Sequence, residues 1–315
     1  MHSLGSTTPC LDAYVKSSSG SEYHLSVVIV ILIARFVTSH PQTPIEVAAP
    51  DKPGGKLPLR RQHARLIACL DVAIDPVLLK TFSENAFPLL PEKRHRHREA
   101  LLTAAVESGS GDIEEELKSN KDYAQWLATI PDGRVNNIKN NCKKVATNKV
   151  VELYRLDTSD PEACKTRVAQ LKRRLPDYLL IFPEDPKTGK ADMGKPFLHS
   201  MIIHILSTAA GITDAIPCHL LALASVAAYR ALDEWSTGVH TPRNFTADRS
   251  KTIYKDQLCS LENLANNPNN TATHHALLRK IFKLAFPSVL NLQRHDADEG
   301  GQPVPQGAEI IINLD

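Results

Sequence analysis

Two adjacent carboxylates, Asp233 and Glu234, are the residues whose type and position first suggest chemistry. Paired carboxylates can act as a general acid and a general base when both face one reacting group. Neighbouring residues of a helix project about 100° apart, so these two side chains point in different directions. A catalytic site here would need a further group from a separate helix, such as His199 or His240. An enzyme with a site near Asp233 and Glu234 is therefore the alternative hypothesis.

The two acids also have a structural interpretation. They fall in the last turn of a predicted helix, where the helix dipole disfavours each negative charge by roughly 0.3–1 kcal/mol. Basic residues of neighbouring helices would offset this cost. Trp235 can cover the edge of the core, and Gly238 suits the left-handed turn that ends a helix. We predict a structural signature made of Leu232, Asp233, Glu234, Trp235 and Gly238.

A basic stretch runs from Asp132 to Leu175, where eleven Lys or Arg and five acids give a net charge of +6. Such a patch can follow the phosphates of a nucleic acid. Lys139, Lys143 and Lys144 are the candidate phosphate-contacting residues, because they fall on or near one helical face. Internal pairing and ordinary surface charge explain the same pattern, and the acidic segment just upstream could cover it.

Neither a metal site nor a cofactor is predicted. His199 and His204 are five residues apart and so point to different faces of a helix, and no HExxH pattern occurs. The segment "GKADMGKP" matches the start of a phosphate-binding loop. However, Pro196 stands where that loop needs a Ser or Thr hydroxyl for magnesium, and it has no backbone N–H.

Composition indicates a soluble globular protein inside the cell. The chain has 315 residues, 42% hydrophobic content and a net charge of +2, so it can bury a core and its overall charge selects no partner. The six cysteines form no CxxC pair, which favours reduced thiols of an intracellular protein, in either nucleus or cytoplasm. The apolar run at 26–37 is shorter than the roughly 20 residues of a membrane-spanning helix, so no membrane association is expected.

Periodicity predicts an all-α protein. Residues 218–231 are apolar or small at nearly every position, which is typical of a buried helix. We predict a single multi-helix orthogonal bundle around this central apolar helix, at about 217–237. Residues 61–286 would form the helical domain, between a low-order N-terminal arm (1–60) and a disordered tail (287–315).

Local patterns set the expected helix ends. Pro76 should open a helix, and Pro131 should end one so that Asp132 caps the next. Asp160 should cap a helix with a proline at its first position, and Pro196 should start another. The segment "YLLIF" at 178–182 is the best candidate for a strand.

Three blocks of the sequence resemble a fungal family that is common in mushroom-forming lineages and is described only as a domain of unknown function. They are "RVNNIKNNCKKVATNKVVELYRL", "LLIFPEDPKTGKADMGKPFLH" and "IPCHLLALASVAAYRALDEWSTG", the last together with "YKDQLCSLENL". The similarity runs from about Arg65 to Phe286, and "ALDEWSTG" is its most specific part. The resemblance implies a helical, intracellular domain and supplies no catalytic residue, cofactor or substrate.

Taken together, these patterns favour a non-enzymatic interaction module. Its partner would be a protein, as yet unknown, or a nucleic acid. No coherent set of catalytic residues emerges from the spacing of the candidate groups, so the enzyme is kept as the alternative.

Overall fold

The computed structural model describes residues 62–174, 177–185, 187–208, 216–266 and 271–287. Within these ranges the chain forms nine α-helices and no strand, so the prediction of an all-α fold is confirmed. The helices are α1 (Ala64–Glu84), α2 (Leu90–Glu107), α3 (Gly111–Ser119), α4 (Lys121–Leu153), α5 (Pro161–Leu171), α6 (Ser200–Ser207), α7 (Cys218–Asp233), α8 (Ala247–Asn266) and α9 (Thr271–Ala285). The predicted arm at 1–60, with its apolar run at 26–37, lies outside the described residues, as does the predicted tail beyond Pro287.

The predicted central helix is α7. It packs against α1, α4, α6 and α8, and its side chains from Leu220 to Ala228 are all buried. Alanine and serine at Ala222, Ala224 and Ser225 let the neighbouring helices approach closely from several sides. The helix ends four residues earlier than predicted, at Asp233, because residues 234–238 turn away from its axis.

The longest helix, α4, joins two apolar cores. Its 33 residues extend over about 50 Å. The first half packs with α1, α2 and α3 around residues such as Leu70, Leu101 and Leu127. The second half packs with α6 and α7 through residues such as Val150.

Both ends of the described chain contribute to these cores. In the first half of α1, Leu66, Cys69 and Leu70 are fully buried. In α9, which packs against α6 and α8, Ile281 and Phe282 are buried as well. The first and last helices are therefore integral parts of the fold, since each fully buried aliphatic or aromatic side chain stabilises it by roughly 1.5–3 kcal/mol.

Three sequence-based predictions of helix ends were wrong. Each assumed that a proline lies at the end of a helix, but tertiary packing keeps both prolines inside helices. Pro76 lies inside α1, which begins at Ala64. Pro131 lies inside α4 and is buried, so Asp132 caps nothing and Asn120 is the N-cap. A proline inside a helix loses one backbone hydrogen bond, and the packing on both sides of each position compensates for that loss.

Two further segments differ from expectation and one agrees. The predicted strand at 178–182 is a 3-10 turn at Leu179–Ile181 that packs against α7. Helix α6 begins at Ser200, four residues after Pro196, because Phe197 adopts a left-handed backbone conformation with φ 60°. The predicted cap of α5 is confirmed, since the Asp160 carboxylate accepts from two backbone N–H groups of the first turn at 3.0 Å.

None of the described helices combines the length and the apolar character that a membrane-spanning helix needs.

The hydroxyl of Tyr254 connects three helices in the interior. It accepts a hydrogen bond from the backbone N–H of Ala86, just after α1, at 2.9 Å. It also lies 2.7 Å from Nδ1 of His219 on α7, to which its proton can be donated. The Tyr254 ring packs edge-on against Phe87, with 5.0 Å between the ring centroids.

Tyr254→Phe should lower the free energy of unfolding by about 1–3 kcal/mol, because it leaves the buried N–H of Ala86 and the His219 ring nitrogen without their partner. Urea denaturation measures this change. Tyr229→Phe is the matched control, since the described contacts of Tyr229 are made by its ring and survive the substitution. Equal stability of the two variants would contradict the role of the Tyr254 hydroxyl.

Candidate functional site

The end of α7 forms a compact turn that holds the predicted signature residues. Glu234 is the C-cap of the helix, and the chain continues through backbone hydrogen bonds from Trp235 N to Leu232 O and from Gly238 N to Trp235 O, both 2.9 Å. Asp233 and Glu234 are both buried. We call these two residues and their polar partners the acidic corner.

Asp233 is surrounded by three basic side chains. Lys172, the C-cap of α5, donates to its Oδ1. Arg243, in the segment after the turn, donates to Oδ2 at 2.9 Å, and Arg230 lies 3.5 Å from the same atom. Asp233 therefore connects the end of α7 to the end of α5 and to the loop that leads to α8.

Glu234 points in another direction, toward α4. Lys143 forms an ion pair with its Oε1 at 2.8 Å, and the backbone N–H of Arg243 donates to the same oxygen at 2.9 Å. The other oxygen, Oε2, lies 3.3 Å from the hydroxyl of Thr147 and 3.3 Å from Nε2 of His240. Only 4% of the Glu234 side chain and 10% of the Lys143 side chain are exposed, so this is a buried ion pair.

The electrostatics keep both carboxylates ionised. Burial alone would raise the pKa of Asp233, but Lys172, Arg243 and Arg230 together lower it below its ordinary value. Burial opposes the charge of Glu234 in the same way, and the hydrogen bond from Lys143 is the largest of the interactions that lower its pKa. A carboxylate with a lowered pKa and its lone pairs occupied is a poor general base. The chemistry of the corner is therefore charge neutralisation.

The other signature residues complete the turn. Leu232 is fully buried, and Trp235 is half-buried, so its ring covers the edge of the core as expected but is not enclosed by it. Gly238 has φ 86° and lies against the start of α5. A Cβ atom at this position would come within 2.1 Å of the Pro161 carbonyl oxygen, so both the conformation and the space require glycine.

Of the two candidate histidines, the structure brings only one to the acids. His240 contacts Glu234, and its ring lies 5.1 Å from the ring of Trp235. His199 lies elsewhere, at the N-terminus of α6. Sequence reasoning missed Lys172, Arg243 and Thr147, because residues distant in sequence meet the acids only through the fold.

The three candidate phosphate-contacting lysines do not share one surface. The ammonium of Lys139 lies 4.8 Å above the Phe87 ring, and burial lowers its pKa to about 8. Lys143 is buried and occupied by Glu234, and it also donates to Thr147 at 2.5 Å. Lys144 is exposed. Of the three, only Lys144 can contact a phosphate without rearrangement, and its binding of nucleic acid stays a prediction.

A basic groove of about 450 Å³ lies between α2 and the first half of α4. We call it the α2–α4 groove. Arg94 and Lys121 are exposed on its rim, and no acid in the described part of the chain pairs with either. Lys93 and Arg98 are also lining residues, but Lys93 forms an ion pair with Asp132 at 2.5 Å and Arg98 bonds to carbonyls at the end of α3. The groove thus has a positive rim with two unpaired cations.

The same groove has an apolar component. Leu90, Ala124 and Ala128 line it, and Leu90 is 56% exposed. An exposed large apolar side chain beside exposed positive charge suits an interaction surface.

No group of three or more His, Cys, Asp or Glu in the described ranges is arranged to hold a metal ion. The thiols of Cys69, Cys142, Cys164 and Cys218 form no disulfide bond.

Lys143→Met should destabilise the protein by about 3–5 kcal/mol, because it leaves the Glu234 charge buried and unpaired. The double variant Lys143→Met/Glu234→Gln should recover a large part of this loss. Chemical denaturation of the two single variants and the double variant gives the coupling free energy. In the control, Lys118→Met removes the exposed pair with Glu114 and should cost at most about 1 kcal/mol. A coupling near zero between Lys143 and Glu234 would refute the buried pair.

Gly238→Ala should be strongly destabilising, because the added methyl meets the backbone of Pro161 and the backbone conformation disfavours any side chain. The matched control is Gly189→Ala, where φ is also positive, at 65°, but nothing lies within 4 Å of the added Cβ. The control measures conformational strain alone, of roughly 1–2 kcal/mol. Thermal unfolding that lowers Tm by the same amount in both variants would show that contact with Pro161 contributes nothing.

Neither curated proteins nor solved structures give a match to the chain. Residues 73–264, which contain the acidic corner and most of the helical bundle, match one family model. This range covers more than half of the 315 residues. The chain therefore belongs to the family of the domain of unknown function DUF6532.

Proposed function

We propose that this domain is a non-enzymatic, intracellular interaction module, and that it binds an acidic, amphipathic segment of a partner protein in the α2–α4 groove. The fungal origin implied by the sequence resemblance is part of this proposal, as is a location in the nucleus or cytoplasm. The observation that carries the proposal is the pair of exposed cations, Arg94 and Lys121, which no acid in the described ranges pairs with, beside the exposed side chain of Leu90.

The acidic corner supports the non-enzymatic part of the proposal. Its carboxylates are the strongest catalytic candidates in the sequence, and both are engaged in ion pairs that connect the end of α7 to α4 and to the C-cap of α5. The alternative, an enzyme that uses Asp233, Glu234 and His240, would need one of these acids to release its cation before it could accept a proton.

The chemistry of the groove supports a protein partner. Leu90, Ala124 and Ala128 offer aliphatic contact, which suits the apolar face of a helix. The positive rim would attract acidic residues on the same helix and set its orientation. The groove follows α2 from Leu90 to Arg98, a length of about 12 Å, which accommodates roughly two turns of a bound helix.

A nucleic acid is the second candidate, because Arg94, Lys121 and the exposed Lys144 are all cations. However, the groove-lining residues include no Phe, Tyr or Trp ring, and the imidazole of His97 is buried, so they offer no exposed ring on which an unpaired base could stack. This feature favours the protein partner, and the same experiment tests both candidates.

The test uses the full chain and three fluorescent probes in anisotropy titrations. The probes are a short helical peptide with Leu on one face and Glu on the other, the same peptide with Lys in place of Glu, and a short DNA duplex. We expect the acidic peptide to bind best. Arg94→Glu/Lys121→Glu should weaken that binding by roughly tenfold or more.

The matched control is Lys144→Glu/Lys190→Glu, which makes the same change in net charge at two exposed lysines outside the groove. It should leave the affinity for the acidic peptide unchanged. An equal loss of affinity in both double variants would show that net charge alone causes the effect. That result would overturn the proposal that the acidic peptide binds in the groove. If DNA binds more tightly than the acidic peptide, and its affinity depends steeply on salt, the partner is a nucleic acid and not a protein.

A further inference from the structure

A second cleft, of about 670 Å³, lies on another part of the domain. It is bordered by the end of α4, by α6 and by the end of α9. We call it the His199 cleft. Its volume falls within the range of small-molecule sites, about 300–1,000 Å³. Its walls are mixed, with Leu153, Ile203 and Leu284 on the apolar side and Arg155, His199 and Glu184 among the polar residues.

His199 lines this cleft and carries a hydrogen-bond donor whose position on the ring is fixed. Its side chain is buried, with 5% exposure, and its ring stacks on Tyr154 with 4.3 Å between the centroids. Its Nδ1 accepts from the backbone N–H of Met201 at 3.1 Å, so the neutral ring carries its proton on Nε2. Burial lowers the pKa of His199 to about 4, which keeps the ring neutral. No residue in the described part of the chain hydrogen-bonds to Nε2.

Arg155 supplies a positive charge at the same cleft. It is exposed, it forms no ion pair within the described ranges, and its charge is close enough to contribute to the lowered pKa of His199. The acid in the cleft, Glu184, is paired with Arg167 and therefore does not neutralise Arg155.

The backbone at the cleft is sterically unfavourable in two places. Arg155 follows the end of α4 with φ 53°, and Phe197, which is fully buried, precedes His199 with φ 60°. They are the non-glycine residues with positive φ in the described ranges, and both adjoin this cleft. Glycine is the usual residue at the position of Arg155, just after a helix. Strained backbone of this kind is concentrated at functional sites.

We propose that the His199 cleft binds an amphipathic organic anion, namely a carboxylate carried on an aliphatic body. The carboxylate pairs with the guanidinium of Arg155 and accepts from Nε2–H of His199. The aliphatic body lies against Leu153, Ile203 and Leu284. This site is separate from the α2–α4 groove and independent of the function proposed for it.

The test is calorimetric titration of the full chain with decanoate, with 1-decanol and with inorganic phosphate. Decanoate should bind more tightly than either of the others, because it alone combines the charge with the apolar chain. Arg155→Gly should weaken decanoate binding at least tenfold and leave 1-decanol binding unchanged. Because glycine is favoured at this position, the variant should keep the wild-type Tm or exceed it, which excludes unfolding as the cause.

Two further variants complete the experiment. Leu284→Asp, at a half-exposed position of the apolar wall, should also abolish decanoate binding. Lys144→Ala removes an exposed cation of α4 outside the cleft and should have no effect. The proposal is overturned if decanoate does not bind, if Arg155→Gly binds it as tightly as the wild type, or if phosphate binds as tightly as decanoate.

Discussion

The fold depends on the neutralisation of two carboxylates at the C-terminal end of its most buried helix. Helix dipole and burial both oppose negative charge at Asp233 and Glu234, so each acid must have cationic partners. Those partners come from α4, from the end of α5 and from the segment before α8. The ion pairs that offset this electrostatic cost are directional contacts. They fix the orientation of α4, of α5 and of the segment before α8 around α7. Gly238 adds a fourth constraint, since only glycine allows the turn to touch the start of α5.

Much of this fold could be predicted from the sequence, because helical periodicity and an all-apolar helix are local properties. The all-α class, the central position of α7 and the cap at Asp160 were predicted correctly. The interruptions expected at Pro76 and Pro131 were wrong, because a proline has a local cost that the packing of a long helix can exceed. The strand expected at 178–182 was wrong, because a short apolar run fits a buried turn as well as a strand.

The partners of the acidic corner could be predicted only as a class. The sequence implied that basic residues should neutralise Asp233 and Glu234, but it could not select Lys143, Lys172 and Arg243 from the many cations of the chain. The same limit applies to the basic stretch at 132–175. The net charge of this stretch is +6, but its lysines do not form one exposed surface. Lys139 packs against an aromatic ring, and Lys143 is buried in an ion pair. A helix face made of polar residues can still face the interior when an acid there pairs with one of them. The two cations of the α2–α4 groove that no described acid pairs with both lie outside that stretch, on α2 and at the start of α4.

The buried residues of the outermost helices have a consequence for where this domain begins and ends. The family match covers 73–264, which divides α1 and leaves out α9. Leu66, Cys69 and Leu70 precede that range, while Ile281 and Phe282 follow it, and all five are interior side chains. A fragment cut at the borders of the match would expose apolar surface at both ends and would be prone to aggregate. The packed core of the described chain thus extends beyond the stretch by which the family is recognised, into the start of α1 and into α9.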